Sequence, residues 1–401
     1  MNKYIYTLLA LVLFSSKINA QVQHEIITEG ITIKGNGAYG ANFLTNKQLS
    51  VFNNNVLNLA TPIGNKEYNR LGLDLSSELL YVTKNKHDKS YIIGVGATTL
   101  VNASLSNDAA NIAAYGNYNY QGKQAHLGQS YVQYYNMQYL KLGVVLKGKG
   151  CYPSETQLTA NIYGIKNYAQ ANINYLNMYT TPYFTSISTQ NNWNLTISDT
   201  SAKAKKTFNY SGAGAGLNLD MIVYGATKIY FGLRNVGGLW LNKNTINIQK
   251  QGAFNYDGIT INGINDLKDT TLINTSINKL KDSLYSSSKT RYSTQLPWNM
   301  YVAFARSFSR RIDLHYGFNY QYSVGYKPML FAQLNYYLTR NLQVGIVNTY
   351  GGYAGYGLGL NANIKLNKMS IYMGIKNILL LPTSKANAGV QAGINFKLSK
   401  D

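Results

Sequence analysis

The amino-acid sequence predicts an all-β protein, a single transmembrane antiparallel β-barrel of about 14 strands, within a range of about 12 to 16. Three observations predict this fold. Apolar and polar side chains alternate in the last third of the chain, the first 20 residues have the pattern of an export signal, and no later segment is apolar enough for a membrane helix. This combination is typical of proteins that cross the bacterial outer membrane with strands.

The alternation is clearest in residues 312–322. Every even position there is aliphatic or aromatic, whereas Asp313, His315 and other polar or small residues occupy the odd positions. Successive side chains of a strand point to opposite faces, so this segment has one apolar face and one polar face. Residues 358–366 and 390–398 repeat the pattern. Several such strands joined by short turns predict a large antiparallel sheet.

The first 20 residues contain the three parts of a secretory signal peptide. Lys3 gives a short basic start, residues 4–14 form an apolar core, and small and polar residues lead to Ala20, so we expect cleavage before Gln21. This core is too short for a membrane anchor, and no later run approaches the roughly 18 apolar residues of a spanning helix. The sequence therefore predicts export to the bacterial outer membrane after cleavage of the signal.

Composition agrees with a barrel. The chain has 36 Tyr and 36 Gly but only 6 Pro, which suits long strands with aromatic residues at the membrane interfaces. The net charge of +21 has two interpretations: a basic lumen or rim that attracts anionic lipids or acidic polymers, or a general drift of composition. The basic residues are scattered and form no block of like charge, which favours the second interpretation and excludes nucleic acid as a partner.

The N-terminal half is expected to mix strands with one helix. For residues 21–66 three alternatives stay open: a plug in the lumen, a first strand, or a periplasmic extension; residues 67–401 are expected to form the barrel. Residues 106–115 have helical composition, with Ser106 or Asn107 as the N-cap. The clearest strand-like runs around this helix are residues 70–81, 91–101, 131–147, 213–221 and 229–234.

One long polar region interrupts the strands. Residues 242–296 are expected to form mainly a surface loop, with a short helix at residues 276–284. From Pro297 onward seven strands follow in quick succession. Their turns are expected near residues 309–311, 325–327, 339–341, 351–352 and 367–368, and around Pro382. Short turns on one side of the membrane and longer loops on the other are typical of such barrels.

The polar faces of the strands supply the candidate functional residues. The candidate lumen-lining residues are Arg234, Asp313, His315, Asn319, Gln333, Asn361, Asn363 and Gln391. Asp313 and His315 share one polar face, a spacing that can orient an imidazole as a general base. The simpler interpretation is that both are ordinary polar residues beside Arg310 and Arg311. Because no nucleophile or third group is identified, the sequence predicts no catalytic residue and no enzymatic activity.

Metal and cofactor motifs are weaker still. His87 has no second histidine at ligand spacing, so no metal site is predicted. Residues 35–40 match the spacing G-x-G-x-x-G, and residues 143–150 approach a phosphate-binding loop. Neither segment leads into a helix whose N-terminus would hold phosphate, so no cofactor is predicted.

Three short segments resemble a known group of proteins. Residues 110–120, 142–150 and 292–297 are similar to segments of an uncharacterised family of Bacteroidetes outer-membrane proteins. Members of that family look like FadL-type long-chain fatty-acid transporters and the type IX secretion barrel PorV. The resemblance runs from about residue 70 to the end, whereas residues 21–66 depart from the family's Asn-Pro-rich start. It implies a barrel with a role in the envelope, and it carries over no catalytic residue and no substrate.

Two functional classes follow. In the first, the barrel is a FadL-like conduit for hydrophobic or small solutes. In the second, it is a non-transporting structural or partner-binding barrel of a type IX secretion or gliding apparatus, which docks through residues 242–296 or the periplasmic turns. In both classes the expected partners are outer-membrane lipid and lipopolysaccharide. A hydrophobic small-molecule ligand is a candidate for the conduit, and envelope proteins are candidate partners for the structural barrel.

Overall fold

A computed structural model describes residues 29–45, 68–83, 89–150, 152–199, 209–256, 286–376 and 385–397. The described strands join into one sheet, of which 14 strands form a closed antiparallel barrel, as the sequence predicts. In ring order these wall strands are β1 (Gly30–Thr45), β2 (Asn69–Val82), β3 (Lys89–Leu105), β5 (Ser130–Gly148), β6 (Ser154–Thr180), β8 (Gly212–Val223), β9 (Thr227–Leu241), β13 (Asn299–Ser309), β14 (Ile312–Gln321), β15 (Lys327–Tyr337), β16 (Leu342–Gly352), β17 (Gly355–Lys365), β18 (Met369–Lys376) and β19 (Lys385–Phe396).

The ring closes between its first and last strands. Ile31 of β1 lies opposite Phe396 of β19, and the pairing continues up to Gly40. The other edge of β1 pairs with β2, so Gly30–Thr45 is a wall strand. Residues 21–28 and 46–66 of the N-terminal segment lie outside the described part of the chain. The glycine motif of residues 35–40 is inside β1, where both backbone edges are hydrogen-bonded.

Five further strands lie beyond the wall. They are β4 (Lys123–His126), β7 (Ile187–Ile197), β10 (Ile246–Tyr256), β11 (Ser286–Lys289) and β12 (Tyr292–Gln295). From Ala169 onward β6 leaves β8 and pairs with β7, which pairs with β10, and β10 pairs with β11. We call β7, β10, β11 and the second half of β6 the projecting sheet. Residues 242–296 are predicted to be mainly a loop, but their described parts, 242–256 and 286–296, contain three strands. The predicted helix at residues 276–284 lies outside the described residues.

The two ends of the barrel differ. The start of β1, the end of β19 and short connections such as residues 309–312 and 365–369 lie at one end, which we call the turn end. The opposite loop end carries the longer connections, including α1 (Asn107–Tyr115) and two 3₁₀ turns (Tyr118–Tyr120 and Pro182–Phe184). Ser106 caps α1, because its Oγ accepts from the Ala109 N–H at 3.2 Å, which confirms one of the two predicted caps. Outer-membrane barrels place short turns in the periplasm and longer loops outside.

Polarity is inverted relative to a soluble protein. On β15 the outward Leu330 and Leu334 are 58% and 50% exposed, whereas the inward Gln333 and Asn335 are buried. The outer face carries exposed Leu, Ile and Val along most of the wall, and aromatic residues lie near its ends; Trp298, for example, stacks on Tyr322 with ring centroids 5.5 Å apart. An apolar outer band with interfacial aromatic residues is what a lipid bilayer requires of a barrel. No helix within the described ranges is long and apolar enough to cross a membrane.

Candidate functional site

Two tyrosines inside the barrel lie flat on glycines of neighbouring strands. A Cβ at Gly96 would lie 2.4 Å from the Tyr139 ring, and a Cβ at Gly232 would lie 2.1 Å from the Tyr301 ring. Only glycine leaves room for these rings, which cover the bare backbone much as aromatic residues rescue glycines in other sheets. The wall thereby fixes the direction in which each phenol points.

Each of these phenols donates to a carboxylate that also binds a cation. Tyr139 Oη donates to Glu78 Oε1 at 3.0 Å, and the same carboxylate forms ion pairs with Lys141 and, at 2.8 Å, with Lys34. On the other part of the wall the carboxylate is Asp220. It accepts from Tyr301 Oη at 2.6 Å and from Arg234 Nε at 2.8 Å. We call Lys34, Glu78, Lys141, Asp220 and Arg234 the charged belt.

The members of the charged belt differ in their access to water. The side chains of Lys34 and Arg234 keep 45% and 46% of their surface exposed although they point into the barrel. The carboxylates are covered, with 5% exposure for Glu78 and 19% for Asp220. Water therefore reaches this part of the interior, and the charges that it meets there are mainly positive.

A β-bulge places Arg234 toward Asp220. Between the pairs Leu217–Val236 and Leu219–Leu233, two residues of β9 face one residue of β8. The extra residue, Asn235, has a φ of 61°, a left-handed conformation that asparagine tolerates better than most residues. Its backbone N–H donates to Asn218 Oδ1 at 2.7 Å, and its side chain accepts from Tyr163 Oη at 2.7 Å.

Most of the predicted candidate residues lie on a different arc of the wall, β14 to β19. Asn319, Gln333 and Asn361 are buried, and Asn363 and Gln391 are partly buried. Amide partners hold two of the buried residues: Asn299 Nδ2 donates to Asn319 Oδ1 at 2.6 Å, and Gln333 Nε2 donates to Asn335 Oδ1 at 2.8 Å. Gln391 Oε1 accepts from Tyr372 Oη at 2.6 Å. Of the candidates, only Arg234 belongs to the charged belt.

Asp313 and His315 are held by different neighbours. Asp313 Oδ2 accepts from Tyr337 Oη at 2.7 Å, while the His315 ring stacks on Tyr230 with centroids 6.5 Å apart. This geometry matches the simpler interpretation, in which both are structural polar residues of the inner face. In the part of the chain that the structure describes, no three His, Cys, Asp or Glu side chains come together as a group that could hold a metal ion.

Two turns cover the interior at the loop end. Residues 322–326 join β14 to β15, and residues 351–355 join β16 to β17; we call them the strap. A Cβ at Gly325 would lie 2.8 Å from the Ala103 carbonyl oxygen, and Ala103 belongs to β3 on the opposite side of the ring. Left-handed φ values of 119° at Gly351 and 92° at Gly355 allow the second turn to fold inward. The strap therefore crosses the mouth of the barrel.

Tyr353 is the anchor of the strap. Its ring covers Gly72 of β2, and its phenol binds Asn102 of β3 and the Ser323 hydroxyl, the latter at 2.7 Å. Tyr326 packs edge-on against the same ring at 5.1 Å. Burial raises the pKa of both tyrosines, so both phenols remain protonated hydrogen-bond donors at neutral pH.

A small cavity of about 30 Å³ lies beneath the strap, with room for about two water molecules. Its polar lining includes Asp74, Asn102, Gln321 and Lys376. The space is enclosed by tyrosines of the strap above and by the wall strands at the sides. The described interior is thus tight at the loop end and water-accessible at the charged belt.

Sequence reasoning identified Arg234 but missed its partners in the charged belt. Glu78, Lys141 and Asp220 occupy polar positions of alternating strands, and a rare acidic residue on an inward face is the signal that could have found them. The strap was predicted only as ordinary turns, because nothing in residues 351–355 shows that a hairpin tip folds back across the barrel.

The closed ring, the apolar outer face and the charged interior define a membrane β-barrel. Within that class, the chain belongs to the family described as "Family of unknown function (DUF5723)", whose model matches residues 16–375. No curated protein matches the chain.

Solved structures with a similar fold include outer-membrane channels of the FadL group. The TodX monoaromatic hydrocarbon channel, as a deltaS2 mutant, aligns with a TM-score of 0.47 and 8% identity, covering 92% of this chain and 91% of that one. A Pseudomonas aeruginosa FadL homologue gives 0.40 and 8%, with 91% and 87% covered. The P. putida toluene transporter TodX gives 0.41 and 8%, with 93% and 91% covered. At these values the barrel assignment rests on the hydrogen-bonded ring described above, and the predicted Bacteroidetes origin and resemblance to PorV stay predictions.

Proposed function

We propose that the protein is a gated conduit of the bacterial outer membrane that passes small solutes through the barrel interior. One observation carries this proposal: Lys34 and Arg234 point into the barrel and are nevertheless about half exposed. A barrel filled by its own side chains would bury both cations or pair them fully, since an isolated buried charge is costly. The water-accessible belt is instead what a polar path through a membrane requires.

The strap is the gate in this proposal. It is held across the loop end by Tyr353, which contacts Gly72, Asn102 and Ser323, and by the close approach of Gly325 to Ala103. Gly351, Gly352 and Gly355, which flank Tyr353, have positive φ values that glycine adopts more readily than other residues. Release of this anchor opens the mouth above the charged belt.

Conductance of the purified protein in planar lipid bilayers tests the gate. We expect small or rare openings for the natural sequence and a larger, more persistent conductance for Tyr353→Ala. Tyr350→Ala is the matched control, because Tyr350 lies on the same hairpin but points outward and is exposed. Folding of each variant is checked by the shift between heated and unheated samples on a gel. Folded natural protein and folded Tyr353→Ala that both fail to conduct would overturn the proposal.

The second candidate function is a non-transporting barrel that binds envelope proteins. The projecting sheet favours it, because this sheet extends beyond the wall and carries polar, exposed strands such as β10 and β11. A stable partner that co-purifies from outer membranes and is lost on deletion of β11 would support this role. N-terminal sequencing of the same preparation checks the expected cleavage before Gln21.

A further inference from the structure

The charged belt has more cations than carboxylates, and its exposed members are the two cations Lys34 and Arg234, whereas Glu78, Asp220 and Lys141 are largely covered. Glu78 binds both Lys34 and Lys141 and accepts from Tyr139 as well. This carboxylate is therefore covered from a solute in the interior, whereas the Lys34 side chain is 45% exposed.

On the other part of the belt, too, the carboxylate is covered and its cation is about half exposed. Asp220 accepts from Tyr301 and Arg234, and the Arg234 guanidinium also lies 5.0 Å from the Tyr301 ring centroid. Arg234 Nη2 also donates to the Tyr301 hydroxyl at 3.3 Å, and nearly half of the Arg234 side chain is nevertheless exposed to the interior. Guanidinium groups have five N–H donors in a planar fork, a geometry that suits carboxylates and phosphates.

A third ion pair repeats the arrangement near the turn end. Lys147 lies 3.8 Å from Glu155, and the lysine side chain is 46% exposed whereas that of the glutamate is 10% exposed. Tyr224 Oη donates to Glu155 Oε2 at 3.0 Å, so here too a tyrosine hydroxyl is hydrogen-bonded to the carboxylate. In the three settings tyrosine hydroxyls donate to the carboxylates, whereas the side chains of Lys34, Arg234 and Lys147 are each about half exposed. Local potential depends on the charges nearest the path, so this arrangement makes the path electropositive.

We infer that the conduit is selective for anions, and that its natural solutes are small anions such as organic carboxylates or phosphates. The inference rests on the proposed conduit function and adds the class of solute to it. By itself the high net charge of the chain fits a drift of composition. In this inference, part of that positive charge lies in the charged belt, where a solute must pass.

Reversal potentials in a potassium chloride gradient test the inference. We expect a permeability ratio of chloride to potassium above about 3 for the open conduit. Where the natural sequence stays closed, the measurement uses the Tyr353→Ala background. Lys34→Gln removes an exposed cation and leaves Glu78 paired with Lys141, so this variant keeps its fold and should lower the ratio at least twofold.

The control is Lys289→Gln, which makes the same change at an exposed position of β11, on the projecting sheet. We expect its ratio to equal that of the natural sequence. Conductance without a preference for anions, or a ratio that Lys34→Gln leaves unchanged, would overturn the inference while the conduit function stands. Absence of conductance in all folded variants would instead overturn the conduit itself, and the inference with it.

Discussion

Glu78→Gln is the substitution that most directly tests the charged belt. It removes the negative charge and keeps the shape of the side chain, and the glutamine oxygen still accepts from Tyr139. Lys141, whose side chain is only 14% exposed, then loses its carboxylate partner. Breaking a buried ion pair on one side typically costs about 3 to 5 kcal/mol. The half-exposed Lys34 adds less than about 1 kcal/mol. Because water reaches the belt, we expect a loss of about 3 kcal/mol, at the lower end of that range.

The matched control is Glu155→Gln. Glu155 also accepts from a tyrosine, but its cation, Lys147, is about half exposed and lies 3.8 Å away. We expect this variant to lose less than about 1 kcal/mol. A compensating change distinguishes charge from shape: Lys141→Met in the Glu78→Gln background should recover most of the loss, since an apolar replacement of a buried pair is often neutral.

The assay is urea unfolding of the barrel in lipid vesicles, followed by the fluorescence of its 3 tryptophans. Equal losses for Glu78→Gln and Glu155→Gln would refute the argument, because burial would then make no difference. Failure of Lys141→Met to restore stability would show that the loss does not come from an unpaired cation.

Two further predictions concern the strap and the membrane-facing wall. Gly72→Ala should displace the Tyr353 ring, because the new Cβ would lie 2.1 Å from it; we expect about 1 to 3 kcal/mol of destabilisation and a raised conductance. Gly35→Ala, whose Cβ meets nothing within 4 Å, should change stability by less than about 0.5 kcal/mol in the same urea assay. On the outer face, Leu334→Arg should cost about 2 to 4 kcal/mol and Leu338→Arg, at the turn end, about 0 to 1. Similar costs at these two depths would contradict a bilayer around the wall.

Much of the barrel could be predicted because lipid imposes a strong pattern. Outward positions of the wall must be apolar and inward positions tolerate polar groups, so residues 312–322 and 358–366 alternate clearly. The structure confirms the seven strands after Pro297, β13 to β19, and the Ser106 cap of α1. Each of these features is encoded within one short segment, which is why a single sequence reveals it.

Strands outside the membrane were harder to predict. β10 has no buried residue, and both of its faces contact water at many positions, so its sequence lacks a clear contrast between faces. Its main partner, β7, precedes it with β8 and β9 in between. Strands of this kind are recognised by their pairing, and pairing between distant segments leaves no local signal.

The charged belt was missed for a related reason. Glu78 faces Gly96, and Gly96 faces Tyr139, so the carboxylate meets its tyrosine across an intervening strand. This meeting depends on the register of three strands and on the absence of a side chain at Gly96. The sequence shows a carboxylate on an inward face, but its partners are determined by the way in which the ring closes.

The closure of the ring between β1 and β19 has a consequence for assembly. Asn395 donates to Thr32 at 2.7 Å although 363 residues separate them. Joining such distant segments costs about 4 kcal/mol more loop-closure entropy than a four-residue turn. One edge of β1 therefore stays unpaired until β19 has been made. In that interval the open edge of β1 can pair with other chains, so the incomplete barrel is exposed to aggregation until β19 pairs with it.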